Sequence, residues 1–445
     1  MRHLLSIFSK FRILVSLFSL TLKASFLIYP AIMITLVMFD PQLKESGQSW
    51  LVPMLFKTTI TKYNSWAEEH ISLDKAKNAR GIALEEWPMF GAVFILKTIE
   101  SLQNQGKIEI KDEDVSLAIK NAVNIISSPS TAEWVKRRWK RRYLKTGQTY
   151  LESENVFYRM LLIMGLSSYK KITGDIKYDN LINQQYKSLH NELLKAKYHL
   201  RDDYPTECYP VDVLWAVASI KQANMVMGNQ IDTKELERVF MQTLNSQVRD
   251  KRGLPAFTVF SRKGVILQKA RGAGTSGLLT FASALDREIA KEWYNSYERY
   301  FWKDNRWFIG FREYPKGEPN TPDVDSGPII KEFGSVATLF GIGASKSVGR
   351  LDHTVPLTVE AIASLWATPF GFIIPSFGGK MLVDSWALGD VALMFSMTRT
   401  INADEITQFN GSYPWSVWAI LFSLLSLGIV SIWLELKWLK KLIFR

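Results

Sequence analysis

The sequence predicts an all-α protein, an (α/α)6 toroid flanked by an N-terminal and a C-terminal transmembrane helix. Three observations predict it. Polar or Gly/Pro-rich leads followed by apolar, small-residue-rich stretches recur six times. Amphipathic stretches with charged faces lie between them. Long apolar runs sit at both ends of the 445-residue chain.

At the N-terminal end, Ile13–Leu22 and Ala24–Phe39 are apolar runs separated by Lys23, whose stem can carry its charge towards the headgroups. The chain continues as Met38-Phe39-Asp40-Pro41, without a small-residue cleavage pattern, so the run reads as an uncleaved signal anchor. Near the other end, Tyr413–Leu434 carries no charge and is long enough, at about 1.5 Å per residue, to cross a hydrocarbon layer of roughly 30 Å. Tyr413, Trp415 and Trp418 at one end of it, with Trp433 and Trp438 at the other, make an aromatic belt. The expected organisation is a tail and signal anchor over 1–40, the toroid over 41–412, a second span over 413–434 and a basic tail over 435–445.

The six leads begin near residues 85, 151, 208, 272, 326 and 384, about 54 to 66 residues apart, a spacing that fits two helices and their loops. The apolar segments that follow are 89–102, 156–166, 211–220, 275–285, 329–344 and 386–397. They read as inner helices, covered on all sides. The amphipathic stretches 112–127, 172–198, 233–248 and 284–301 read as outer ones. Short β pieces are expected around 253–267 and 307–314.

Lys plus Arg number 55 and Asp plus Glu 43, a net charge of +12. Residues 1–39 hold four basic residues and no acid, and 413–445 hold four basic residues against Glu435. Over half of the excess therefore belongs to the ends and reads as a topology signal. It places both termini in the cytoplasm and the bulk of the chain outside it, at a bacterial inner (cytoplasmic) membrane. A nucleic-acid partner is not expected. The bilayer is the first expected partner.

The leads converge on one end of such a ring, which would gather carboxylates among aromatic side chains. The candidate catalytic residues are Asp212, Asp325, Glu154 and Glu86. Tyr209, Tyr204, Trp307, Tyr314, Arg271, Trp87 and Trp386 are candidate substrate-binding residues. Paired carboxylates can act as acid and base across a glycosidic bond, and aromatic faces stack on sugar rings. Acids at helix starts also serve as caps and favour the helix dipole. Asp212, in Tyr209-Pro210-Val211-Asp212, and Asp325, in Asp323-Val324-Asp325-Ser326-Gly327-Pro328, stand in rigid turns just before helices.

Cys208 is the single cysteine, so no internal disulfide and no cysteine-rich zinc site is possible. It lies in the third lead and is a candidate nucleophile or acid, with His199 the nearest histidine in sequence. No H-x-x-x-H or C-x-x-C spacing occurs, so neither a metal nor a cofactor is expected. The run Trp134-Val135-Lys136-Arg137-Arg138-Trp139-Lys140-Arg141-Arg142-Tyr143 interleaves cations with aromatics. Its Arg137, Arg138, Arg141 and Arg142 suit an anionic glycan or lipid surface, or simply a solvated helix end.

Three motifs, Tyr209-Pro210-Val211-Asp212, Gly310-Phe311-Arg312-Glu313-Tyr314-Pro315 and Asp323-Val324-Asp325-Ser326-Gly327-Pro328, resemble bacterial (α/α)6-barrel proteins of the linalool dehydratase/isomerase-like group. The resemblance covers residues 140–350. It implies the toroid, a site in its central cavity and cofactor-free acid/base chemistry on a terpenoid alcohol. The characterised activity uses two cysteines, and this chain has one. The same fold is shared with glycoside hydrolases and polysaccharide lyases. The leading expectation is a membrane-anchored enzyme of the cell envelope acting on a glycan by carboxylate acid/base catalysis. The alternatives are a lyase or isomerase of a terpenoid or lipid-like alcohol, and a non-catalytic envelope scaffold or binding protein.

Overall fold

Each of the six apolar segments contributes a helix that is buried along most of its described length. A computed structural model describes residues 2–78, 80–146, 155–375 and 388–443. The core helices are Trp87–Asn104, Val156–Thr173, Pro210–Val226, Gly272–Ala282, Ser335–Ser347 and Leu388–Thr398. Proline in the first turn of the first and third suits a position whose N–H has no intrahelical partner. Each core helix packs against the next, and the sixth packs against the first. Glycine permits the close approaches. A Cβ on Gly165 would come within 2.5 Å of Ile126 Cδ1, and Gly341 lies flat against the Phe311 ring.

Six further helices cover this set. Val52–Ser72 packs on the sixth core helix and Glu113–Ser127 on the first and second. Asp179–Lys195 packs on the second and third, Lys234–Ser246 on the third, Arg287–Phe301 on the fourth and Leu351–Ser364 on the fifth. Asp112 caps the Glu113–Ser127 helix by accepting from the Asp114 N–H at 3.0 Å. Asp286 does the same for Arg287–Phe301, accepting from Ile289 N–H at 2.9 Å. Amphipathic periodicity picks out four of the six covers. It misses Leu351–Ser364 because that helix is buried on nearly every side, lying beneath the terminal helices. The fifth core helix starts at Ser335, later than the apolar run at 329, because Ile329–Ile330 and Phe333–Gly334 pair as a hairpin. The two expected β regions are the hairpins Thr258–Phe260/Val265–Gln268 and Trp302–Asp304/Ile309–Phe311.

The core helices share one polarity. At their C-terminal ends, Ser101 Oγ donates to the Thr398 carbonyl at 2.5 Å, Ser347 Oγ to the Leu279 carbonyl at 2.9 Å and Lys346 Nζ to the Met397 carbonyl at 2.7 Å. Lys97 and Lys171 converge there on Glu100, at 2.8 and 2.9 Å. Cations at helix C-termini complement the helix dipoles. This is the far end. Between the two ends, Phe94, Trp215, Phe281, Phe340 and Phe395, from five core helices, fill the axis. Phe94 stacks on Phe395 at 4.6 Å and Trp215 meets Phe281 at 5.0 Å.

The terminal helices form an antiparallel pair. The N-terminal one runs Arg2–Lys23, a π-helical turn Ala24–Ile28, then Tyr29–Met38; the C-terminal one runs Trp415–Ile443. Stretches long and apolar enough to cross a membrane are Phe11–Met38 and Trp415–Lys441. The second helix thus continues past Leu434 through the basic tail. Tyr413 Oη donates to the Met38 carbonyl at 2.6 Å, Gly428 lies against Ile28, and Glu435 accepts from Ser16 Oγ and Lys23 Nζ at 2.5 Å each.

Gly272 opens the fourth core helix with the Arg312 carbonyl oxygen where a Cβ would stand. Gly272→Ala is expected to destabilise the fold by about 1–3 kcal/mol through this backbone clash. Thermal unfolding in detergent checks it, and an unchanged midpoint would contradict it.

Candidate active site

The N-terminal ends of the core helices gather the carboxylates at the opposite end, the mouth. The first lead supplies Glu86, the residue before the first core helix. Its Oε2 accepts from Tyr204 Oη at 2.9 Å and its Oε1 lies 3.0 Å from an Arg138 guanidinium nitrogen. Arg138 is stacked over the Tyr204 ring at 4.9 Å and the Trp134 ring at 5.3 Å. Burial pushes the Glu86 carboxyl up to about 7. Arg138 and Tyr204 oppose the shift, while Asp325 and Glu85 add to it.

The third lead is a tight turn. The Asp203 N–H donates to the Glu207 carbonyl at 2.8 Å, Thr206 adopts φ +72°, and the Val259 N–H donates to the Cys208 carbonyl at 3.0 Å. That turn aims Tyr209 and Asp212 inward. Asp203 is fully buried, and its Oδ2 accepts the Tyr209 N–H at 2.5 Å. Its carboxyl is raised by burial and then by Asp212. Cys208 is also fully buried. Burial and the charges of Asp203, Asp202 and Asp212 hold its thiol well above the ordinary range. A thiol so placed stays protonated at neutral pH, which disfavours it as a nucleophile.

The fourth and fifth leads are locked together. The Arg271 guanidinium donates from Nε to Glu313 at 2.9 Å and in bidentate fashion to Asp323 at 2.7 and 3.0 Å. Glu313 accepts the Ala273 N–H at 2.9 Å, fixing the start of the fourth core helix. Burial raises Glu313 to about 7. Asp323 accepts the N–H groups of Asp325 and Ser326 at 3.1 and 2.9 Å, a turn held by its own side chain.

Two carboxyls remain without a hydrogen-bond or ion-pair partner among the described residues, those of Asp212 and Asp325. Both are raised by desolvation. Asp212 is raised further by Asp325 and then by Glu86, Asp325 further by Asp323 and Glu207, with Arg271 opposing. The Asp325 charge thus favours keeping a proton on Asp212. Below them, Phe90 and Phe340 are partly exposed, Phe90 lying 5.2 Å from Phe157 and Phe340 6.1 Å from Trp215. Tyr204, Tyr209 and Phe257 form one wall, Tyr209 meeting them at 6.3 and 5.4 Å.

Of the residues named from sequence, Glu86, Asp212, Asp325, Tyr204, Tyr209 and Arg271 come together, with Cys208 beneath them. Tyr314 lies over Arg271 at 5.2 Å with its hydroxyl bonded to the Thr321 carbonyl at 3.0 Å. Trp87 is half-buried at the start of the first core helix. Trp307 stands apart. It is 50% exposed and meets Trp415 at 5.6 Å, beside the C-terminal helix, because the Asn305–Phe308 loop points outward to it. Glu154 and Trp386 lie outside the described residues, and of Arg141 and Arg142 only the helical backbone is described. Arg137 and Arg138 pair with Glu85 at 2.7 and 3.4 Å, so part of the basic run is committed to the mouth. Sequence reasoning missed Asp203, Glu313 and Arg138 as members of the site. The consecutive acids Asp202-Asp203 ahead of Tyr204-Pro205 were the available signal for the first.

No protein-family model matches the chain, and no curated protein matches it.

Glu86 ionises near 4.3 in an unfolded chain and near 7 here. Between those values the folded state holds a proton that the unfolded state has released, so this group favours folding at low pH and loses that contribution as pH rises to about 7. Wild type is therefore expected to lose stability relative to Glu86→Gln as pH rises from about 4.5 to 7.5. Denaturant titrations of both proteins read the difference, and a pH-independent difference would contradict it.

Proposed function

We propose that the protein is a membrane-anchored enzyme that cleaves a glycan by carboxylate acid/base catalysis, its core helices forming an (α/α)6 toroid. The closed cycle of six core-helix packings under six covers supports the toroid. The observation that carries the chemistry is the pair Asp212 and Asp325, unpartnered among the described residues and set among acids that are bonded to protein groups. Asp212, the more strongly raised, is the general acid and protonates the departing glycosidic oxygen as its bond to the anomeric carbon breaks. Asp325 is the base and takes a proton from the water that forms the new bond to that carbon. Tyr204, Tyr209 and Phe257 supply faces for a sugar ring. In this reading the domain lies outside the cytoplasm with both termini inside. The antiparallel terminal pair and the Lys/Arg-rich chain ends support that topology.

The resemblance to the linalool dehydratase/isomerase-like group suggests a rival, a lyase or isomerase using Cys208, Tyr209 and Asp212. The raised, buried thiol of Cys208 gives that rival less support.

Asp212→Asn and Asp325→Asn are each expected to lower glycan cleavage by about 10²-fold or more with helicity unchanged. Cys208→Ala is expected to retain activity. Reducing-end release by purified full-length variants checks this. Activity retained in both Asn variants would sink the proposal, and activity lost only in Cys208→Ala would favour the rival. Reporter fusions at the two termini are expected to respond as cytoplasmic, and a periplasmic response at either end would contradict the topology.

A further inference from the structure

The terminal helices fix which end of the domain meets the bilayer. The fifth core helix runs from the mouth at Ser335 to the far end at Ser347, and its cover, Leu351–Ser364, runs back, so residues 365–375 return to the mouth. There Trp366 Nε1 donates to the Phe26 carbonyl at 2.8 Å, and the Phe370 ring lies 5.9 Å from that of Phe26. Beyond Met38 the chain reaches the far end, where Gly47 abuts Lys346 and Leu351. The N-terminal helix therefore lies along the flank of the domain from Phe26 onwards, and everything before Phe26 projects past the mouth. The C-terminal helix repeats this in reverse. Ser416 Oγ donates to Glu360, within the cover helix, at 2.9 Å, and Gly428 reaches Ile28 at mouth level.

Burial changes at the same level. Met33, Ile34, Val37 and Met38 are buried against the domain, whereas Phe11, Leu14 and Phe18 are exposed. On the partner helix Val417 and Leu421 are buried, and Leu427, Ile429 and Trp433 are exposed. From Phe11 to Ile28 the helix rises about 27 Å, close to the roughly 30 Å of a hydrocarbon core. The projecting halves alone nearly span a membrane, which puts its surface at the mouth. Phe370 and Ile374, 58% and 49% exposed beside Phe26, then meet lipid. The helix Glu133–Thr146 is tied to the mouth through Arg137 and Arg138, which pair with Glu85 and Glu86.

We propose that the carboxylate cleft opens onto the bilayer and that its substrate is a lipid-linked saccharide taken from the adjoining leaflet rather than a free polymer. The substrate assignment rests on the glycan reading above; the orientation does not. The cleft suits such an amphiphile. Asp212 and Asp325 face the sugar, and the partly exposed Phe90 and Phe340 offer an apolar floor.

The test uses the full-length protein in vesicles of phosphatidylethanolamine and phosphatidylglycerol, with and without brominated lipid. A bimane label at Phe370→Cys or Ile374→Cys is expected to be quenched by bromine, and a label at Ile176→Cys, exposed at the far end, is expected not to be. Absence of quenching at the mouth, or stronger quenching at 176, would overturn the orientation. In the same vesicles, a prenyl-diphosphate-linked oligosaccharide is expected to be cleaved faster than its water-soluble headgroup, by on the order of tenfold or more, because confinement to one surface raises its effective concentration. Equal or faster cleavage of the soluble sugar would overturn the substrate class. Cleavage of neither, with the quenching pattern intact, would overturn the substrate class together with the glycan reading and leave the orientation standing.

Discussion

The mouth of this protein depends on the Arg271 guanidinium, bound on one side to Glu313 and on the other to Asp323. One bond fixes the first turn of the fourth core helix through the Ala273 N–H. The other fixes the turn that presents Asp325. With a buried cation answered by two carboxylates, Asp325 can be held near Asp212 without being neutralised. Removing Arg271 would leave Glu313 buried and uncompensated, a much larger cost than an exposed ion pair incurs. The arrangement recurs beside it, where Arg138 answers Glu86. Among the described residues the site is an acidic cluster in which most members have protein partners and two do not.

The rest of the molecule follows from helix polarity. All six core helices point their N-termini at the mouth, where positive dipole ends favour carboxylates, and their C-termini at the far end, where Lys97, Lys346 and Arg399 collect. Burial lowers the ammonium of Lys346 to about 7. The aromatic plug of Phe94, Trp215, Phe281, Phe340 and Phe395 separates these two charged layers. The terminal helices close the arrangement by covering Leu351–Ser364 and by joining through Glu435, Lys23 and Ser16, a paired charge that a span can tolerate only when so bonded.

Much of this was legible in the sequence. The six leads and the two long apolar runs each mark a real helix. Asp212 and Asp325 stood out because Pro210 and Pro328 make their turns rigid, and those turns do aim them at one place. What was hidden was hidden for physical reasons. The Leu351–Ser364 helix has no polar face, because the terminal helices cover it. Trp307 looked like a sugar platform, but a loop turns it towards Trp415. The basic run looked like free surface charge, yet Arg138 is a partner of Glu86, and no spacing rule links residues that far apart.

Desolvation and the neighbouring Asp325 charge raise Asp212 the more strongly of the two, so the pair is expected to titrate apart, with Asp212 the last to release its proton. Infrared difference spectra of wild type and Asp212→Asn, recorded as a function of pH, test it most directly. Over the background that the raised carboxyls of Asp203, Glu86 and Glu313 give in both proteins, wild type is expected to show one protonated carboxyl band more, which the variant lacks. No band specific to wild type, or two carboxyls that ionise together near the ordinary aspartate range of about 4, would contradict it.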